Sequence, residues 1–466
     1  MRLTIIVLAA GLGTRMRSAI PKVLHLLAGK PLIRHVLDAV APLGPEKTVL
    51  VLGHQADRVR TVVEGYGVEV VHQAEQRGTG HAVRQAVEAI ASATGPVMVL
   101  CADTPLLASE TLRFLAETHS RSGAAVTVMT AMPDDPTGYG RVVRDRSGVL
   151  RIIEEKDATT AQKKIGEVNT GIYCFEKKFL LSALGGIKNK NAQGEYYLPD
   201  TIALARKGKR KVASVLCQDP DETMGINSRF DLSQAEGIMR IRKNVRWMRE
   251  GVTLIDPAAV FISDEAAIGK DTVLYPNVRL EGKTTLGEGC TVYPGSRMVD
   301  SACGNGVTIK DCCVIEDSRI ADKASVGPFA HLRPGTVLGP GSRIGNFVEV
   351  KKSVIGEGSK ANHLAYIGDA TVGKDVNIGA GVITCNYDGF QKHQTIIEDG
   401  VFVGSDAQLV APVRIGKDAL IAAGATVTRD VPPEALAISR APLDIREGVS
   451  GRRKRLRQKK KEEETK

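Results

Sequence analysis

The C-terminal half of this chain carries an apolar residue at nearly every sixth position. The main series are Ile268, Leu274, Leu280, Leu286, Val292 and Met298, then Val314, Ile320, Val326, Leu332, Leu338, Ile344 and Val350, then Ile397, Val403, Leu409, Ile415, Ile421 and Val427. A period of six is neither the 3.6 of a helix nor the alternation of a half-buried strand. It is typical of hexapeptide repeats in a parallel β-helix, whose stacked coils bury a column that no single coil buries alone.

Shorter series connect these runs, and one interruption stands out. Ile355, Ala361 and Ile367 keep the period, as do Val372, Ile378 and Thr384, but residues 385–396 break it. The break predicts an extra loop, and loops of a solenoid often form its binding face. Aromatic residues make up only 4% of the chain, which suits a narrow aliphatic interior.

The N-terminal half of the chain follows a different pattern, in which short apolar runs alternate with helical stretches. The predicted strands are Leu3–Ala10, Thr48–Leu52, Val97–Leu100 and Ala125–Thr130, and the predicted helices include Pro31–Val40, Gly80–Ala91 and Ser109–Thr118. This order predicts an α/β domain with a doubly wound, Rossmann-like and mostly parallel sheet. Ligands of such sheets bind beyond the carboxyl ends of the strands.

These patterns divide the 466 residues into four parts. Residues 1–227 form the α/β domain, and residues 228–250 form a linker helix that Ser228 caps and Gly251 ends. Residues 251–445 form the β-helix. Residues 446–466 form a basic tail that is predicted to be disordered.

The charge and the cysteines point to a cytoplasmic protein. Most of the net charge of +10 lies in residues 451–466, which hold nine Lys or Arg and three Glu. A solvated tail is favoured there over a nucleic-acid or membrane contact. No run approaches the ~20 apolar residues that span a bilayer, and the short run Leu3–Ala10 fits a buried strand better than a signal peptide. None of the eight cysteines forms Cys-x-x-Cys, so we expect reduced thiols.

The first predicted strand leads into Gly11-Leu12-Gly13-Thr14-Arg15, followed by Pro21-Lys22. The spacing is neither that of a P-loop nor G-x-G-x-x-G, because position 16 is Met. The residues still suit an anion cradle, since glycines let backbone N–H groups approach a phosphate and Arg15 and Lys22 add charge. A helix after the loop is expected to point its N-terminus at the same place.

Other candidate residues are ambiguous by themselves. Asp103 follows a predicted strand and Asn227 precedes the linker helix, so either suits a turn or a cap as well as a ligand. A lone histidine such as His363 is more often structural than catalytic. Cys312 and Cys313 are adjacent and point apart on a strand, so they do not suggest a metal site.

The motif resembles the nucleotidyltransferase family that joins sugar 1-phosphates to nucleoside triphosphates. Further motifs extend the resemblance over residues 1–445 to the bacterial family of bifunctional N-acetylglucosamine-1-phosphate uridylyltransferases and glucosamine-1-phosphate N-acetyltransferases. They are Gln73–Gln76, Gly78–His81, Pro136–Arg141, Asn169–Gly171, Asn191–Tyr197, Gly345–Glu349, Asn377–Gly381 and Thr384–Gly389. The family makes UDP-N-acetylglucosamine, a precursor of peptidoglycan and lipopolysaccharide.

For the α/β domain the resemblance implies uridylyl transfer from UTP to N-acetylglucosamine 1-phosphate with release of pyrophosphate. The residues implied to bind UTP and the UDP-sugar are Leu8, Ala9, Ala10, Gly11, Lys22, Gln73, Gly78, Thr79, Asp103, Gly140, Glu154, Asn169 and Asn227. Arg15 and Lys22 are implied to neutralise the triphosphate. Asp103 and Asn227 are implied to bind Mg²⁺, which prefers oxygen ligands.

For the solenoid the resemblance implies a left-handed β-helix that forms a homotrimer and transfers an acetyl group from acetyl-CoA to glucosamine 1-phosphate. His363 is the implied general base, a role suited to an imidazole with a pKa near 6.5, and Glu349 its orienting partner. The implied sugar-phosphate ligands are Arg333, Lys351, Tyr366 and Asn377. The implied acetyl-CoA ligands are Ala380, Asn386, Tyr387, Ser405, Ala423 and Arg440.

One departure and two alternatives remain at this point. The family has Gly-Asp where this chain has Ala102-Asp103, and Ala is strained there if the position needs φ > 0. The solenoid alternatively serves as an assembly module beside a single nucleotidyltransferase, or the whole chain is a non-enzymatic scaffold. His363 together with Arg333, Lys351 and Asn386-Tyr387 argues against the first alternative. The presence of Arg15, Lys22, Asp103 and Asn227 argues against the second.

Overall fold

The computed structural model describes residues 2–53 and 55–464, which form two compact units that meet in the chain at Met239 and Arg240. Each unit has its own core. Residues 465 and 466 of the predicted tail lie outside the described part.

The N-terminal unit is built on a nine-stranded sheet. Its strands are β1 (Thr4–Ala9), β4 (Lys47–Leu52), β5 (Glu69–His72), β6 (Val97–Cys101), β7 (Val126–Ala131), β8 (Arg141–Asp145), β9 (Gly148–Ile153), β10 (Val168–Phe175) and β11 (Val212–Leu216). A separate two-stranded ribbon is formed by β2 (Leu26–Leu27) and β3 (Lys30–Pro31). The order along the main path is β11-β7-β10-β6-β1-β4-β5. Only β10 runs antiparallel to its neighbours on this path.

Helices cover both faces of this sheet, which confirms the predicted doubly wound class. They are α1 (Leu32–Val40), α2 (Ala56–Val63), α3 (Thr79–Gln85), α4 (Ser109–Ser122), α5 (Thr160–Lys163), α6 (Lys177–Gly186) and α7 (Asp200–Lys207). One apolar core lies under α3, α6 and α7. A second lies under α1, α2 and α4. Short 3₁₀ turns lie at Thr14–Met16, Lys22–Leu24, Ala41–Leu43 and Pro220–Thr223.

Helix α3 is shorter than the predicted Gly80–Ala91. After Gln85 the backbone bonds tighten to the i−3 spacing, as from the Ala86 N–H to the Val83 carbonyl and from the Val87 N–H to the Arg84 carbonyl. A 3₁₀-like continuation keeps the apolar periodicity without regular α-helix geometry.

Helix α8 (Arg229–Arg249) lies where the linker helix is predicted. Ser228 caps it, because its Oγ accepts a hydrogen bond from the Asp231 N–H while Asp231 accepts from the Ser228 N–H, a reciprocal capping box. Gly251 follows its end with φ +95, a conformation that favours glycine.

The C-terminal unit is a solenoid of three parallel sheets, the left-handed β-helix of hexapeptide repeats that the sequence predicts. The first sheet contains Thr253–Leu254, Val273–Leu274, Thr291–Val292, Thr308–Ile309, Ser325–Val326, Arg343–Asn346, Lys360–His363, Asn377–Ile378, Phe402–Val403, Leu420–Ile421 and Leu436–Ala437. The second contains Phe261–Ile262, Arg279–Glu281, Arg297–Val299, Val314–Glu316, His331–Leu332, Glu349–Lys351, Tyr366–Gly368, Ile383–Cys385, Gln408–Val410 and Thr426–Val427. The third contains Ala267–Ile268, Thr285–Leu286, Ala302–Cys303, Ser318–Ile320, Thr336–Leu338, Val354–Ile355, Ala370–Val372, Thr395–Ile397 and Val413–Ile415.

The repeat is less strict in the structure than in the predicted series. Leu274 pairs with Val292 and Val292 pairs with Ile309, so the second of these coils is shorter than the first. In a shorter coil one pair of successive inward residues is five rather than six positions apart, as Ile315 and Ile320 are. The prediction that Val314 faces inward is therefore wrong. Its neighbour Ile315 is fully buried instead. The break at 385–396 is a loop between the strands Ile383–Cys385 and Thr395–Ile397, as predicted.

The tail differs from the predicted disorder. Residues Val449–Glu464 form helix α9, and its described side chains are exposed. The eight cysteines are free thiols, and Cys290, Cys303 and Cys313 pack inside the solenoid. Within the described residues we find no helix with the length and apolar character needed to cross a membrane.

Candidate active sites

A pocket of about 440 Å³ opens at the carboxyl ends of β1 and β6. Its lining contains most of the predicted nucleotide ligands: Leu8, Ala9, Ala10, Gly11, Arg15, Lys22, Gln73, Gly78, Thr79, Asp103 and Asn227. It also contains Gln76, Cys101 and Glu195, which the sequence analysis did not assign. The position is the one expected for a doubly wound sheet.

The glycine-rich loop reaches the pocket without a helix behind it. The residues after Gly13 form a three-residue 3₁₀ turn, so the expected helix N-terminus is absent from this described segment. Gly13 has φ +63, and a Cβ there would lie 2.7 Å from the Lys22 Cβ. The close approach of the loop to Lys22 therefore requires glycine.

Lys22 connects the two predicted metal ligands. Its ammonium is ion-paired with the Asp103 carboxylate and lies 3.0 Å from the Asn227 Oδ1. The Ile226 N–H donates to the Asp103 carbonyl at 2.8 Å, which ties the two segments together. One carboxylate oxygen and one amide oxygen thus converge on a single cation. That donor set fits a hard divalent ion, because Mg²⁺ is commonly held by one or two protein oxygens together with substrate phosphates.

The substitution Ala102 does not strain the backbone. Ala102 is absent from the positive-φ residues, and its methyl is buried in the core under α1, α2 and α4. Its N–H donates to the Leu8 carbonyl at 2.9 Å. The concern raised by the sequence at this position is therefore removed. The neighbouring Cys101 thiol lines the pocket, and burial raises its pKa to about 12, so it stays protonated.

The predicted sugar ligands Gly140, Glu154 and Asn169 come together with one another but are not part of the lining of this pocket. The Asn169 N–H donates to the Gly140 carbonyl at 2.8 Å, and a Cβ on Gly140 would lie 3.1 Å from the Glu154 Oε1. The Asn169 Oδ1 accepts from the Tyr173 hydroxyl at 2.7 Å. Burial raises the pKa of Glu154 to about 7, with contributions from Asp157, Asp200 and Glu195.

This pKa predicts a pH-dependent effect of Glu154→Gln on stability. A carboxyl with a pKa of about 7 when folded and 4.5 when unfolded binds its proton more tightly in the folded state. Its contribution to the free energy of unfolding is therefore present below the unfolded pKa and is lost as pH rises toward about 7. We expect the variant to be more stable than the parent by up to about 3 kcal/mol at pH 8.

The measurement is the thermal unfolding midpoint of the full chain at pH 5, 7 and 8. The advantage of Glu154→Gln should grow with pH, whereas the exposed control Glu110→Gln should show no such trend. Parallel curves for Glu154→Gln and the parent would show that burial does not perturb this carboxyl.

In the solenoid one column of residues crosses successive coils. His363, Ala380, Ser405 and Ala423 each lie two residues after an inward-facing residue of the first sheet. Those inward-facing residues are Ala361, Ile378, Val403 and Ile421, and each pairs in register with the next. Coils repeat at about 4.8 Å, so His363 and Ala423 lie about 14 Å apart. The Arg440 Nε donates to the Ala423 carbonyl at 3.1 Å, which brings Arg440 to the far end of the column.

His363 is held by Asn346, and the expectation that Glu349 orients its ring is wrong within one chain. The His363 Nδ1 lies 2.8 Å from the Asn346 Oδ1, one coil earlier. The Glu349 carboxylate lies on the second sheet and pairs instead with the Arg333 guanidinium at 2.8 Å. Because the amide oxygen only accepts, it places the proton on Nδ1 and leaves Nε2 able to accept a proton.

Lys392 and Arg333 lie near enough to Lys351 to repel its ammonium group, and Arg333 also lies near Tyr366. The side chain of Lys392 in the extra loop lowers the pKa of Lys351, and Arg333 adds to the repulsion. Such a cluster suits a phosphate ligand. The predicted ligand Asn386 donates to Asp369, and its Nδ2 lies 3.5 Å from the Tyr366 hydroxyl.

The extra loop is ordered by its own residues. Asp388 accepts hydrogen bonds from the Gln391 and Phe390 N–H groups and pairs with His393 at 2.7 Å. These contacts lower the pKa of Asp388 to about 2. The Tyr387 hydroxyl donates to the Gly389 carbonyl at 2.6 Å, and its ring is exposed.

One predicted sugar ligand lies apart from the others. Asn377 is on the first sheet, whereas Lys351 and Tyr366 lie on the second. Sequence reasoning also missed Asn346 and Lys392. Asn346 could have been found from the sequence, because it precedes His363 by one coil of the repeat. Lys392 could have been found only from its position in the extra loop.

Comparisons with known proteins agree with this geometry. Residues 5–165 match the MobA-like NTP transferase domain, and residues 317–352 and 394–429 match the bacterial transferase hexapeptide (six repeats). The chain is 52% identical over 451 residues to a protein of Heliobacterium modesticaldum, covering 97% of this chain and 98% of that one. It is 52% identical over 458 residues to a protein of Pelobacter propionicus, covering 98% of each. Both relatives carry the name Bifunctional protein GlmU.

Fold and site therefore define a nucleotidyltransferase joined to a hexapeptide-repeat acetyltransferase. At this identity over nearly its whole length, the chain belongs to the GlmU family of bifunctional proteins. It is an enzyme with both predicted activities: acetyl transfer from acetyl-CoA to glucosamine 1-phosphate, then uridylyl transfer from UTP to the acetylated sugar phosphate. The nucleotidyl transfer needs a divalent metal.

Proposed function

We propose that the pocket beside Lys22 carries out uridylyl transfer. A phosphate oxygen of N-acetylglucosamine 1-phosphate attacks the α-phosphorus of UTP, a new P–O bond forms, and the bond to the pyrophosphate oxygen breaks. The observation that carries this assignment is the convergence of Lys22, Asp103 and Asn227 at the carboxyl ends of the strands. Such a transfer requires positioning and charge stabilisation rather than covalent catalysis by the protein.

The polar residues of the pocket have different roles in binding the triphosphate. Arg15 is exposed at the pocket, and within residues 2–53 and 55–464 its guanidinium has no hydrogen bond or ion pair, so it is available to a phosphate. Asp103 and Asn227 would hold Mg²⁺, which screens phosphate charge. Lys22, which pairs with both of these side chains, would be the cation nearest the metal-bound phosphates. Gln73 with Gly78 and Thr79 holds the uracil end, while Gly140, Glu154 and Asn169 hold the sugar.

The corner of the solenoid at His363 carries out acetyl transfer. The amine of glucosamine 1-phosphate attacks the thioester carbonyl of acetyl-CoA, its proton passes to the His363 Nε2, and the C–S bond breaks to release CoA. The Asn346 contact supports this role, because it leaves Nε2 unprotonated. Arg333, Lys351 and Tyr366 bind the sugar phosphate, with Asn377 also at the sugar and Glu349 as the carboxylate that orders Arg333.

Acetyl-CoA lies along the column above His363. Ala380, Ser405 and Ala423 supply contacts on three coils, and Arg440 meets the CoA phosphates. Asn386 and Tyr387 approach from the extra loop. The in-register stacking of these positions supports the assignment, since an extended ligand of this size needs contacts over about three coils.

The chain forms a homotrimer through the solenoid. Phe329 and Phe347 stack at 5.4 Å on one corner and are 51% and 57% exposed, and Leu364 extends the same corner. An exposed apolar corner calls for a covering surface. The split of the sugar ligands between two sheets also favours a site completed by a neighbouring copy. Light scattering should give three chains of 49.8 kDa. The free thiols suit a cytoplasmic location.

Removing the metal separates the two activities. We expect EDTA to abolish pyrophosphate release from UTP and N-acetylglucosamine 1-phosphate and added Mg²⁺ to restore it, because Asp103 and Asn227 are the proposed ligands. Release of CoA from acetyl-CoA and glucosamine 1-phosphate should be unchanged, since the proposed acetyl-transfer residues include no metal ligand. Equal loss of both products, or pyrophosphate release that persists in EDTA, would contradict the assignment.

A further inference from the structure

The Gln73 side chain, which binds uracil in the proposed function on which this inference rests, contacts His81. Gln73 follows β5, lines the pocket and is 3% exposed. Its main-chain N–H donates to the Leu52 carbonyl at 2.7 Å, which fixes the backbone. Its side-chain Nε2 lies 2.9 Å from the His81 Nδ1 and 3.4 Å from the Gly78 carbonyl oxygen.

We propose that His81 is a positioning residue that fixes the Gln73 amide and thereby makes the site select uracil over cytosine. A glutamine amide presents two donors on one atom and an acceptor on the other. The Gly78 carbonyl only accepts, so it requires Nε2 of Gln73 rather than the side-chain oxygen. With the amide in this orientation the His81 Nδ1 accepts the second hydrogen, and the ring proton of His81 lies on Nε2.

This orientation leaves the other end of the amide free. Within the part of the chain that the structure describes, no protein group donates to the Gln73 Oε1. Turning the amide over would bring Oε1 against the Gly78 carbonyl oxygen and the Nδ1 lone pair. Two repulsive contacts would replace two hydrogen bonds, so the acceptor remains the free end.

A free acceptor distinguishes the two pyrimidines. Uracil presents an N3–H donor, whereas cytosine presents an N3 lone pair beside its exocyclic amine. The Gln73 Oε1 accepts from the uracil N3–H and faces the cytosine N3 unpaired. Sites that use a buried hydrogen-bonding group in this way reject a mismatched ligand far more strongly than a purely apolar pocket does.

His81 itself does not line the pocket, so its effect on the base passes through Gln73. It lies on α3, one turn before Gln85, whose side-chain Nε2 is 3.3 Å from the His81 Nε2 and 3.4 Å from the His81 carbonyl oxygen. A proton on the His81 Nε2 therefore requires the Gln85 amide to turn its oxygen to the ring. On the other side the ring lies 6.4 Å from that of Tyr196, which is covered by Arg84 at 4.4 Å.

The test compares UTP with CTP as the nucleotide for full-length His81→Phe and His81→Asp. The Phe ring keeps the bulk and removes the acceptor, whereas a carboxylate oxygen of Asp replaces Nδ1 as an acceptor. The readout is the ratio of kcat/KM for pyrophosphate release with N-acetylglucosamine 1-phosphate. Both nucleotides carry the same charge, so a new charge at residue 81 cancels in the ratio. His72→Phe, on an exposed histidine beside Gln73, is the control.

We expect the parent to favour UTP, His81→Phe to lower the UTP-to-CTP ratio by about tenfold or more, and His81→Asp and the control to stay within about threefold of the parent. Thermal unfolding followed by circular dichroism shows whether each variant is folded. If His81→Phe does not fold, His81→Leu is used in its place. An unchanged ratio in the Phe or Leu variant, or an equal fall in the Asp variant, would overturn the proposal and leave uridylyl transfer standing. Absence of any UTP turnover by the parent would instead overturn the proposed function.

Discussion

We expect the replacement of Asp103 by alanine to lower the rate of pyrophosphate release by at least about a thousandfold, because the site would lose its proposed charged metal ligand and several kcal/mol of charge stabilisation. Asp103 also holds the ammonium of Lys22, so its removal would displace a second proposed phosphate ligand. The measurement is initial-rate pyrophosphate release with UTP, N-acetylglucosamine 1-phosphate and saturating Mg²⁺.

Two controls accompany this variant. Release of CoA by Asp103→Ala should remain within about twofold of the parent, since His363 and its neighbours belong to the other compact unit. Asp57→Ala, at an exposed carboxylate of α2, should leave both products unchanged. Full uridylyl transfer by Asp103→Ala would show that the metal and Lys22 act elsewhere.

Replacing His363 by alanine lowers kcat for acetyl transfer by about a hundredfold to ten-thousandfold, the usual contribution of a positioned general base. The effect should fall on kcat rather than KM, because Arg333 and Lys351, not His363, are the proposed ligands of the sugar phosphate. Initial rates of CoA release over a range of glucosamine 1-phosphate concentrations separate the two parameters.

The same variant should release pyrophosphate at the parent rate when N-acetylglucosamine 1-phosphate is supplied. His331→Ala is the matched control, because His331 is another partly exposed solenoid histidine and pairs with Glu316 at 3.5 Å. If His363→Ala retained the parent kcat for acetyl transfer, another group would have to take the amine proton.

The period of six was enough to predict the solenoid, since only stacked coils bury an apolar residue at that spacing. It was not enough to predict every inward position. Successive coils differ in length, and a single shortened step moves the buried position from Val314 to Ile315. Val314 and Ile315 are both apolar, so the sequence does not show which of them faces inward. In the α/β unit the strands agree closely with their prediction, whereas α3 ends early where its backbone tightens.

The family resemblance implied which residues belong to the candidate sites, but it did not predict their contacts. Lys22 and Asn227 are 205 positions apart in the sequence. Only the fold brings Asn227 and Asp103 to the Lys22 ammonium. His363 and Glu349 are close in sequence, yet the corner between two sheets separates them and Asn346 takes the expected place of Glu349. Which side chain reaches which ring depends on the length of each coil, and a motif does not carry that length.

The most direct test uses the purified full-length protein with glucosamine 1-phosphate, acetyl-CoA, UTP and Mg²⁺, and follows free CoA and pyrophosphate separately. Two consecutive activities in one chain predict that both products are released and that pyrophosphate requires acetyl-CoA. Supplying N-acetylglucosamine 1-phosphate should remove that requirement. No CoA release, with pyrophosphate only from the acetylated sugar phosphate, would contradict the bifunctional assignment and leave the solenoid as an assembly module.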